Sequence, residues 1–371
     1  MHVGKTCEDF KCQTLKVDNW EEAYIRNERT EIGEIEYICE GKVVMEDKTE
    51  EKFLGDVIYT DGRNIKNVKA RIEKGKGIVS RILTVLDGIP FGRFYFEIAA
   101  ILRDSLLVSS MLFNTEAWYN VSKAELDLLE TVDVQFMRSV LQAPKSTPKE
   151  ILFLEMGCIP FRDLIRKRRI LFLHYILHES EDSMMNRFLV SQMKTMKAKD
   201  WITQVLKDLK YLKLNLEIQE IKEMKKSKLK KLIDKAVEEK AFEELQQKKG
   251  KHTKVMNLSY SKLKMQKYLK ANNSNNTVEE AQVIFKLRSR MTDVKANFKN
   301  KYEEFECDIC KDEEETQKHI LECEDILKNT TRIKKETEYE ELFKDNVKNQ
   351  TEIAKMFIEN MKVKKKLMEK T

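Results

Sequence analysis

The stretch SKAELDLLETVDVQFMRSVL, residues 122–141, carries the pattern that decides the fold class of this chain. Ser122 begins a Ser-x-x-Glu sequence, which is typical of a helix start where the Ser and Glu side chains bond to the first free backbone N–H groups. Pro144 then prevents the helix from continuing, so the stretch predicts a helix that ends near Leu141. The apolar residues along one side of this helix are Leu126, Leu129, Val132, Phe136, Met137 and Val140.

The same helical period extends on both sides of that stretch. It begins at residue 64, and the segment FRDLIRKRRILFLHYILHES, residues 161–180, has the apolar spacing of a further amphipathic helix. Residues 64–180 are therefore predicted to form a compact, all-helical bundle. The residues that break or begin helices within it are Pro90, Gly92, Pro148, Gly157 and Pro160.

Composition favours a mainly α protein. The chain has 371 residues but only 11 Gly and 4 Pro, whereas a β-rich chain of this length would need many turns. Only residues 1–63 have β-leaning runs, in EIEYICEGKVVMED and KFLGDVIYTDG, and these predict short strands and hairpins. Such strands are too few and too short to make a core of their own.

The rest of the chain is more highly charged. Residues 181–276 have thin apolar stripes between runs such as KEMKKSKLKK, which predicts either a charged helical arm or a partly disordered linker. Residues 277–330 combine a helix with a small Cys- and His-containing unit, and residues 331–371 are predicted to be a charged helical tail. The formal net charge of the whole chain is +6, which favours polyanionic partners only weakly.

No segment of the sequence predicts secretion or a membrane span. The N-terminal MHVGKTCEDF has no apolar core of signal-peptide length, and no apolar run approaches the ~18 residues of a membrane-spanning helix. The seven cysteines do not form a disulfide framework, so we expect an intracellular, reducing location, in the nucleus or the cytoplasm, and no membrane partner. Four of the cysteines are scattered singly, as Cys7, Cys12, Cys39 and Cys158.

The stretch CDICKDEEETQKHILEC, residues 307–323, has the spacing of a metal site. Cys307 and Cys310 form a Cys-x2-Cys pair, whose short loop can bring two thiolates to one ion. His319 and Cys323 are four residues apart, which places them on one face of a helix. Three thiolates and one imidazole would fill a tetrahedral shell, so the stretch predicts a closed, structural Zn²⁺ site. Ordinary buried cysteines on a helical hairpin are the alternative.

Three other groups of residues could bind a metal or an anion. His174 and His178 are four residues apart, but no third ligand is near in sequence, so we interpret them as histidines of an amphipathic helix. The bases at 66–76 and 162–169 lie in the first halves of helices, against the preference of the helix dipole, and form either a solvated or an anion-binding face. The tract 248–270 has eight Lys, no acid and two Tyr, which suits either nucleic-acid contacts or a charged connector.

Four segments, taken in order, indicate a family. They are KFLGDVIYTDGRNIKNVKARIEKGKGIV, preceded by MHVGK and LKV; FNTEAWYNVSKAELDLLETVDVQFMRSVL; STPKEILFLEMGCIPFRDLIRKRRILFLHYIL; and LRSRMTDVKANFKNKYEEFECDICKDEEETQKHILEC. They are similar, respectively, to the primer-grip region, the thumb, the post-thumb segment and the Cys/His unit of reverse transcriptases from non-long-terminal-repeat retrotransposons. The resemblance covers about residues 1–190 and 280–325, and it rests on the order and spacing of the segments.

The resemblance implies roles for particular residues. The primer-grip hairpin would position a primer terminus, the first thumb helix would lie near the backbone of an RNA or an RNA–DNA duplex, and the Cys/His unit would hold Zn²⁺. Duplex geometry and phosphates, rather than base sequence, would be recognised. The residues that we expect to contact nucleic acid are Phe53, Leu54, Gly55, Lys66, Lys69, Arg71, Lys74, Lys76, Arg162 and Arg166.

The sequence also departs from that family. It contains no Tyr-x-Asp-Asp, the element that holds the catalytic magnesium ions of a reverse transcriptase, and it has no Gly-rich phosphate loop or Gly-x-Ser-x-Gly elbow. The fingers, the catalytic palm and the endonuclease of the family have no counterpart here. The chain therefore looks like a C-terminal remnant that is not catalytic alone. Its residues 1–63 would be the edge of a palm sheet, which a protein partner could complete.

Three hypotheses about function remain open at this point. The first is a nucleic-acid-binding remnant of a retrotransposon reverse transcriptase. The second is a helical protein-interaction scaffold with a structural zinc site. The third is a truncated gene model of a full-length endonuclease and reverse transcriptase.

Overall fold

Helices dominate the part of the chain that the computed structural model describes, which agrees with the predicted mainly α class. By contact, the chain divides into two units, Met1–Asn64 and Ile65–Thr371. The structure describes residues 22–25, 41–44, 50–53, 56–59, 64–88, 94–118, 121–255, 257–271, 276–298, 300–330 and 338–369.

Four short strands lie within the region predicted to be β-leaning. They form two antiparallel pairs, β1 with β2 and β3 with β4. In the second pair Phe53 is opposite Asp56, so Leu54 and Gly55 come between the strands and lie outside the described residues. The strands are β1 Glu22–Ile25, β2 Gly41–Val44, β3 Glu50–Phe53 and β4 Asp56–Tyr59.

The first half of the helical unit contains the stretch with which the sequence analysis began. Ser122 caps α4 as predicted, because its hydroxyl accepts the Glu125 N–H at 3.2 Å and the Glu125 carboxylate accepts the Ser122 N–H at 2.7 Å. A π-helical turn, Arg103–Val108, joins α2 to α3. The helices are α1 Ile65–Asp87, α2 Tyr95–Leu102, α3 Ser109–Met111, α4 Lys123–Leu141, α5 Lys149–Met156 and α6 Phe161–Leu177.

The charged region 181–276 forms four α-helices where the structure describes it, and these helices pack against α5 and α6. Helix α10 packs against α5 and α6, although it buries only about one residue per turn. The helices of this region are α7 Met184–Thr195, α8 Trp201–Tyr211, α9 Ile218–Glu223 and α10 Lys226–Lys249. The buried stripe of α10 is Leu229, Ile233, Val237, Ala241 and Leu245.

The predicted charged tail is also an integral part of the helical unit. Its helix, α14, packs against α11, α12 and α13, and it buries Ile353, Ala354 and Phe357. The predicted boundaries at residues 180, 276 and 330 therefore do not separate compact units, because residues 65–371 form one. The last helices are α11 Val278–Arg288, α12 Gln317–Glu322, α13 Glu324–Leu327 and α14 Val347–Met368.

A buried polar cluster around Glu155 joins distant parts of the helical unit. The fully buried Glu155 carboxylate accepts hydrogen bonds from the Tyr260 hydroxyl at 2.7 Å, the Tyr268 hydroxyl at 2.9 Å and Arg288 Nε at 3.1 Å. Burial, reinforced by the carboxylate, holds the pKa of both phenols well above its usual value, so both remain donors. We call these four residues the Glu155 cluster. It connects α5, the segment 257–271 and α11.

The two tyrosines of the tract 248–270 are therefore not exposed for stacking on nucleic-acid bases. Tyr268 is buried and Tyr260 is largely so, because their hydroxyls satisfy the buried Glu155. The segment itself passes directly over Gly157, whose φ is +66° and whose absent side chain leaves room for the backbone at Met265. The tract is neither an exposed aromatic platform nor a loose connector.

Candidate metal centre

Four side chains that the sequence predicts as metal ligands lie together. One ligand atom from each of Cys307, Cys310, His319 and Cys323 lies within 4.8 Å of all the others, and no other such group of four occurs among the described residues. The Cys310 Sγ and His319 Nε2 atoms are 3.4 Å apart. An ion with tetrahedral bonds of about 2.3 Å to sulfur and about 2.0 Å to nitrogen requires a separation of roughly 3.5 Å between these atoms. The cluster can therefore hold one metal ion.

The two cysteines of the Cys-x2-Cys pair lie in a tight loop. The loop is closed by a β-bridge between Glu306 and Glu314, and the Cys307 N–H donates to the Glu313 carbonyl at 2.8 Å. Lys311 follows the second cysteine with φ of 61°, and its N–H donates to the Cys307 carbonyl at 3.0 Å. This turn brings both sulfurs to the same side of the loop, as one shared ion requires.

Backbone N–H groups are directed at the sulfur atoms. Burial raises the pKa of the Cys307 thiol. Hydrogen bonds from the Cys310 and Ile309 N–H groups lower it and offset part of this increase. Burial also raises the pKa of the Cys323 thiol, to about 11. For Cys310, burial is outweighed by hydrogen bonds from the Asp312 and Glu313 backbone and from the Cys307 side chain, together with the electrostatic effect of His319, so the pKa is lowered. Such donors stabilise thiolates, which are the form that a metal binds.

The other two ligands are placed by a short helix. The Thr316 hydroxyl caps α12 by accepting the His319 N–H at 3.0 Å. Cys323 follows the last residue of α12, and its N–H donates to the His319 carbonyl at 2.7 Å. The spacing of four residues thus places both side chains on the face of α12 that meets the loop.

A carboxylate outside the ligand set orients the imidazole. His319 Nδ1 lies 3.0 Å from a carboxylate oxygen of Glu313. With Nδ1–H donated to this oxygen, the Nε2 lone pair is left for the metal, which is the arrangement common in histidine metal sites. The side chain of Glu313 is largely exposed, at 74 %. Its effect on the imidazole is therefore weakened by solvent.

Helix α14 holds the metal loop against the body of the protein. The buried Lys364 ammonium lies 2.6 Å from Glu315 Oε2 and 3.2 Å from Asp308 Oδ2. The Asn360 amide donates to the Ile320 carbonyl of α12 at 2.8 Å. These contacts attach both halves of the ligand set to α14. The charged C-terminal region therefore supports the candidate metal centre.

The lysines predicted to contact a duplex are exposed along α1. Lys66, Lys69, Lys74 and Lys76 all lie at the surface, and Lys76 pairs with the exposed Glu73 at 2.7 Å. Phe53 is described only as backbone, so its predicted contact and those of Leu54 and Gly55 stay predictions.

Arg71 requires a correction. It is only 6 % exposed, its guanidinium donates to the Met111 carbonyl at 2.8 Å, and it lies 4.5 Å above the Trp118 ring. The side chain stabilises the packing of α1 on α3 and cannot at the same time reach a phosphate. The sequence pattern missed this because Arg71 lies on the apolar side of α1, between Val68 and Val79.

Arg162 and Arg166, which are also predicted to contact nucleic acid, have partners within the protein. Arg162 forms a two-pronged ion pair with Glu130 at 2.6 Å and also meets Asp127 at 3.0 Å. Arg166 lies 2.6 Å from Asp163, and its guanidinium stacks 3.7 Å above the Tyr211 ring. Acidic groups of the protein itself therefore occupy both guanidinium groups, which explains the basic start of α6 without a nucleic acid.

The interpretation of His174 and His178 as ordinary helix residues agrees with their contacts. His174 Nε2 lies 2.9 Å from the Met224 carbonyl oxygen, and His178 Nδ1 lies 2.8 Å from the His174 carbonyl oxygen. Each histidine thus uses a ring nitrogen in a bond to backbone. The pair makes no group of metal ligands with a third residue in the part of the chain that the structure describes.

Two further findings bear on what this chain is. None of the described helices is both long enough and apolar enough to cross a membrane. Comparison with protein-family models, with curated proteins and with solved structures finds no match to this chain.

Proposed function

We propose that the metal is Zn²⁺ and that it is structural. The support for this is the donor set, since three thiolates and one imidazole complete a tetrahedral shell and leave no open position for substrate. Thiolate-rich tetrahedral sites select zinc over the harder divalent cations, which prefer oxygen ligands. Elemental analysis of chain purified under reducing conditions, without chelator, should find one zinc per chain. Chain that contains no zinc and takes up no added Zn²⁺ would contradict the assignment.

We further propose that the chain binds nucleic acid and corresponds to the C-terminal part of a non-long-terminal-repeat reverse transcriptase. The observation that carries this proposal is the surface of α1, where four lysines and Arg81 are exposed against two exposed carboxylates, Glu73 and, at the last residue of the helix, Asp87. A row of cations along one helix suits the phosphates of an RNA or an RNA–DNA duplex. The zinc unit would act as a structural support near the end of the chain.

The test is binding of the purified chain to a labelled RNA–DNA duplex across a salt series. We expect affinity to fall as salt rises, because neutralised phosphates release counterions. A Lys69→Glu/Lys76→Glu variant should bind at least about tenfold more weakly, with a shallower salt slope. The matched control is Lys207→Glu/Lys210→Glu, which reverses two exposed charges on α8. Duplex binding that neither variant changes, or that shows no salt dependence, would overturn the proposal.

We propose that this chain has no polymerase activity of its own. The support is the sequence, which lacks the Tyr-x-Asp-Asp element that holds catalytic magnesium in the family it resembles. A primer-extension assay with labelled nucleotides should give no more product than a mock purification. Product above that background would contradict the proposal and would favour catalysis by other residues.

A protein-interaction scaffold is the second candidate, and α7 is the observation that favours it. This helix buries only Leu189, and it exposes Met184 by 82 % and Phe188 by 59 %. Exposed apolar side chains of this size are typical of surfaces that meet another protein. Under this alternative the chain would still hold zinc but would not bind the duplex in the salt series.

A further inference from the structure

A cleft of about 700 Å³ lies beside the metal unit and belongs to none of the sites described above. One wall is formed by residues 251–255, after α10, and the other by Met291, residues 296–298, Asn300 and Lys301. Ser146 and Pro148, before α5, also line it. We call it the Lys251 cleft. Its volume is that of a pocket for a molecule the size of one or two nucleotides.

The lining of the Lys251 cleft is basic. Lys251, His252, Lys254 and Lys301 contribute to it and no carboxylate lines it, while Glu150 Oε2 lies 3.6 Å from His252 Nε2. The Lys254 ammonium donates to the Asn297 carbonyl, a neutral group, so its charge is not cancelled. The pair of Lys301 with Asp293, at 3.4 Å, is exposed on both sides and therefore weak. A ligand with several negative charges would meet a positive potential here.

The lining also includes one aromatic ring. Phe298 is half-buried in the wall, and the Lys254 ammonium lies 5.9 Å from its ring centroid. Aromatic rings among cations are the combination that proteins use to stack a base while holding the adjacent phosphates. An acidic peptide would use the lysines but would have no use for the ring.

The wall that carries Phe298 is attached to the metal loop. The Ala296 N–H donates to the Glu315 carbonyl at 3.1 Å, and Lys295 lies 2.7 Å from Asp308 Oδ1. Glu315 and Asp308 are the two acids that Lys364 of α14 also holds. An ordered metal loop therefore fixes one side of the cleft.

We propose that the Lys251 cleft binds an unpaired stretch of nucleic acid, with phosphates on Lys251 and Lys301 and a base against Phe298. This inference rests on the proposed nucleic-acid binding and adds a second binding element to it, separate from α1. The bases of a duplex are paired and stacked, so they cannot enter the cleft. An unpaired strand can turn a base into it. The expected ligand is thus single-stranded.

The experiment compares two probes on the full chain: a fluorescein-labelled uridine 12-mer and the labelled RNA–DNA duplex. We expect Lys251→Glu/Lys301→Glu to bind the 12-mer at least tenfold more weakly while duplex binding stays within about twofold. The α1 variant Lys69→Glu/Lys76→Glu should show the reverse preference. Phe298→Leu, which keeps an apolar side chain but removes the ring, should weaken 12-mer binding about fivefold or more. Zinc content equal to wild type shows that each variant is folded around its metal.

The possible failures are distinguishable. Wild type that binds the duplex but not the 12-mer, or a cleft variant that binds the 12-mer as wild type does, overturns the cleft proposal and leaves the α1 proposal intact. Wild type that binds neither probe overturns both. A labelled glutamate-rich peptide that competes with the 12-mer, through Lys251 and Lys301 but without Phe298, would identify an acidic-protein site instead.

Discussion

Glu313 supports the metal centre without being a ligand. Its carboxylate lies 3.0 Å from His319 Nδ1, and groups in this position typically contribute 10–100-fold to metal affinity. Because the Glu313 side chain is exposed, we expect Glu313→Gln to weaken zinc binding by about tenfold, the low end of that range. Cys310→Ser, which removes a ligand, should reduce affinity far more. Competition with a chromophoric chelator measures both.

Asp312→Asn is the control for Glu313→Gln, since it neutralises an exposed carboxylate in the same loop that has no contact with the imidazole. Equal zinc affinity of the Glu313 and Asp312 variants would mean that the Glu313 carboxylate does not orient His319.

Two glycines should respond to alanine in opposite directions. Gly157 has φ of +66°, and a Cβ atom there would lie 2.1 Å from the Met265 backbone nitrogen. Gly157→Ala should cost about 2–4 kcal/mol in the free energy of unfolding, from left-handed strain plus the forced displacement of the crossing segment. Gly77 lies in α1 with nothing within 4 Å of its Cβ position, so Gly77→Ala should stabilise by about 0.5–1 kcal/mol. Urea denaturation of the two variants checks the sign of each change.

At the residue scale the sequence reveals metal ligands better than it reveals charged residues of the interior. Cys307, Cys310, His319 and Cys323 could be identified because their chemistry depends on residue type and local spacing. The roles of Arg71 and Arg162 could not, since they depend on which acceptors other helices supply. Arg103, which forms a buried two-pronged pair with Asp133 at 2.6 and 2.7 Å, left no recognisable signal in the sequence.

At the scale of elements, α14 depends on a buried ion pair that can be tested. Lys364→Met would leave the Glu315 carboxylate, 1 % exposed, without its cation, and we expect a loss of about 3–5 kcal/mol in the free energy of unfolding. Chemical denaturation with zinc saturating measures this loss. Lys365→Met, at an exposed position of the same helix, should change stability by less than about 0.5 kcal/mol.

A double variant separates this effect from packing. Lys364→Met/Glu315→Gln removes both charges and should recover part of the stability, because no unpaired charge stays buried. If the single Lys364 variant unfolds as wild type does, α14 is not held by this pair.

Elements with strong local signals were predicted well, and elements that depend on tertiary contacts were not. The capping box of α4 and the proline starts of α5 and α6 are visible in the sequence because they are local. Helix α10 looked like a charged arm because its stripe of one apolar residue per turn is narrow. That stripe is sufficient because α10 lies against α5 and α6, which supply the rest of the buried surface.

At the scale of the whole molecule, the metal should stabilise one side of the helical unit more than the other. A ligand present at about 1,000 times its dissociation constant stabilises the folded state by about 4 kcal/mol. We therefore expect chelation to lower the Tm and to increase amide exchange most in α12, α13 and α14, which contact the metal loop. Helices α7, α8 and α9 belong to a separate apolar cluster and should change least.

Hydrogen exchange followed by mass spectrometry, with and without chelator, measures this difference. Uniform loss of protection across the helical unit would show that the metal stabilises all of it as one cooperative structure, without local preference.

The Glu155 cluster has a consequence for how the chain matures on the ribosome. Glu155 and Arg288 are 133 residues apart, and the two tyrosines of the cluster also follow α5 by more than a hundred residues. While the chain is being synthesised, α1 to α6 can therefore form before their partners exist. The Glu155 carboxylate and the apolar surface around it then stay uncovered until α11 has been synthesised. Translation speed between residues 156 and 288, and the chaperones that bind during that interval, should thus determine how much of this protein reaches its native state.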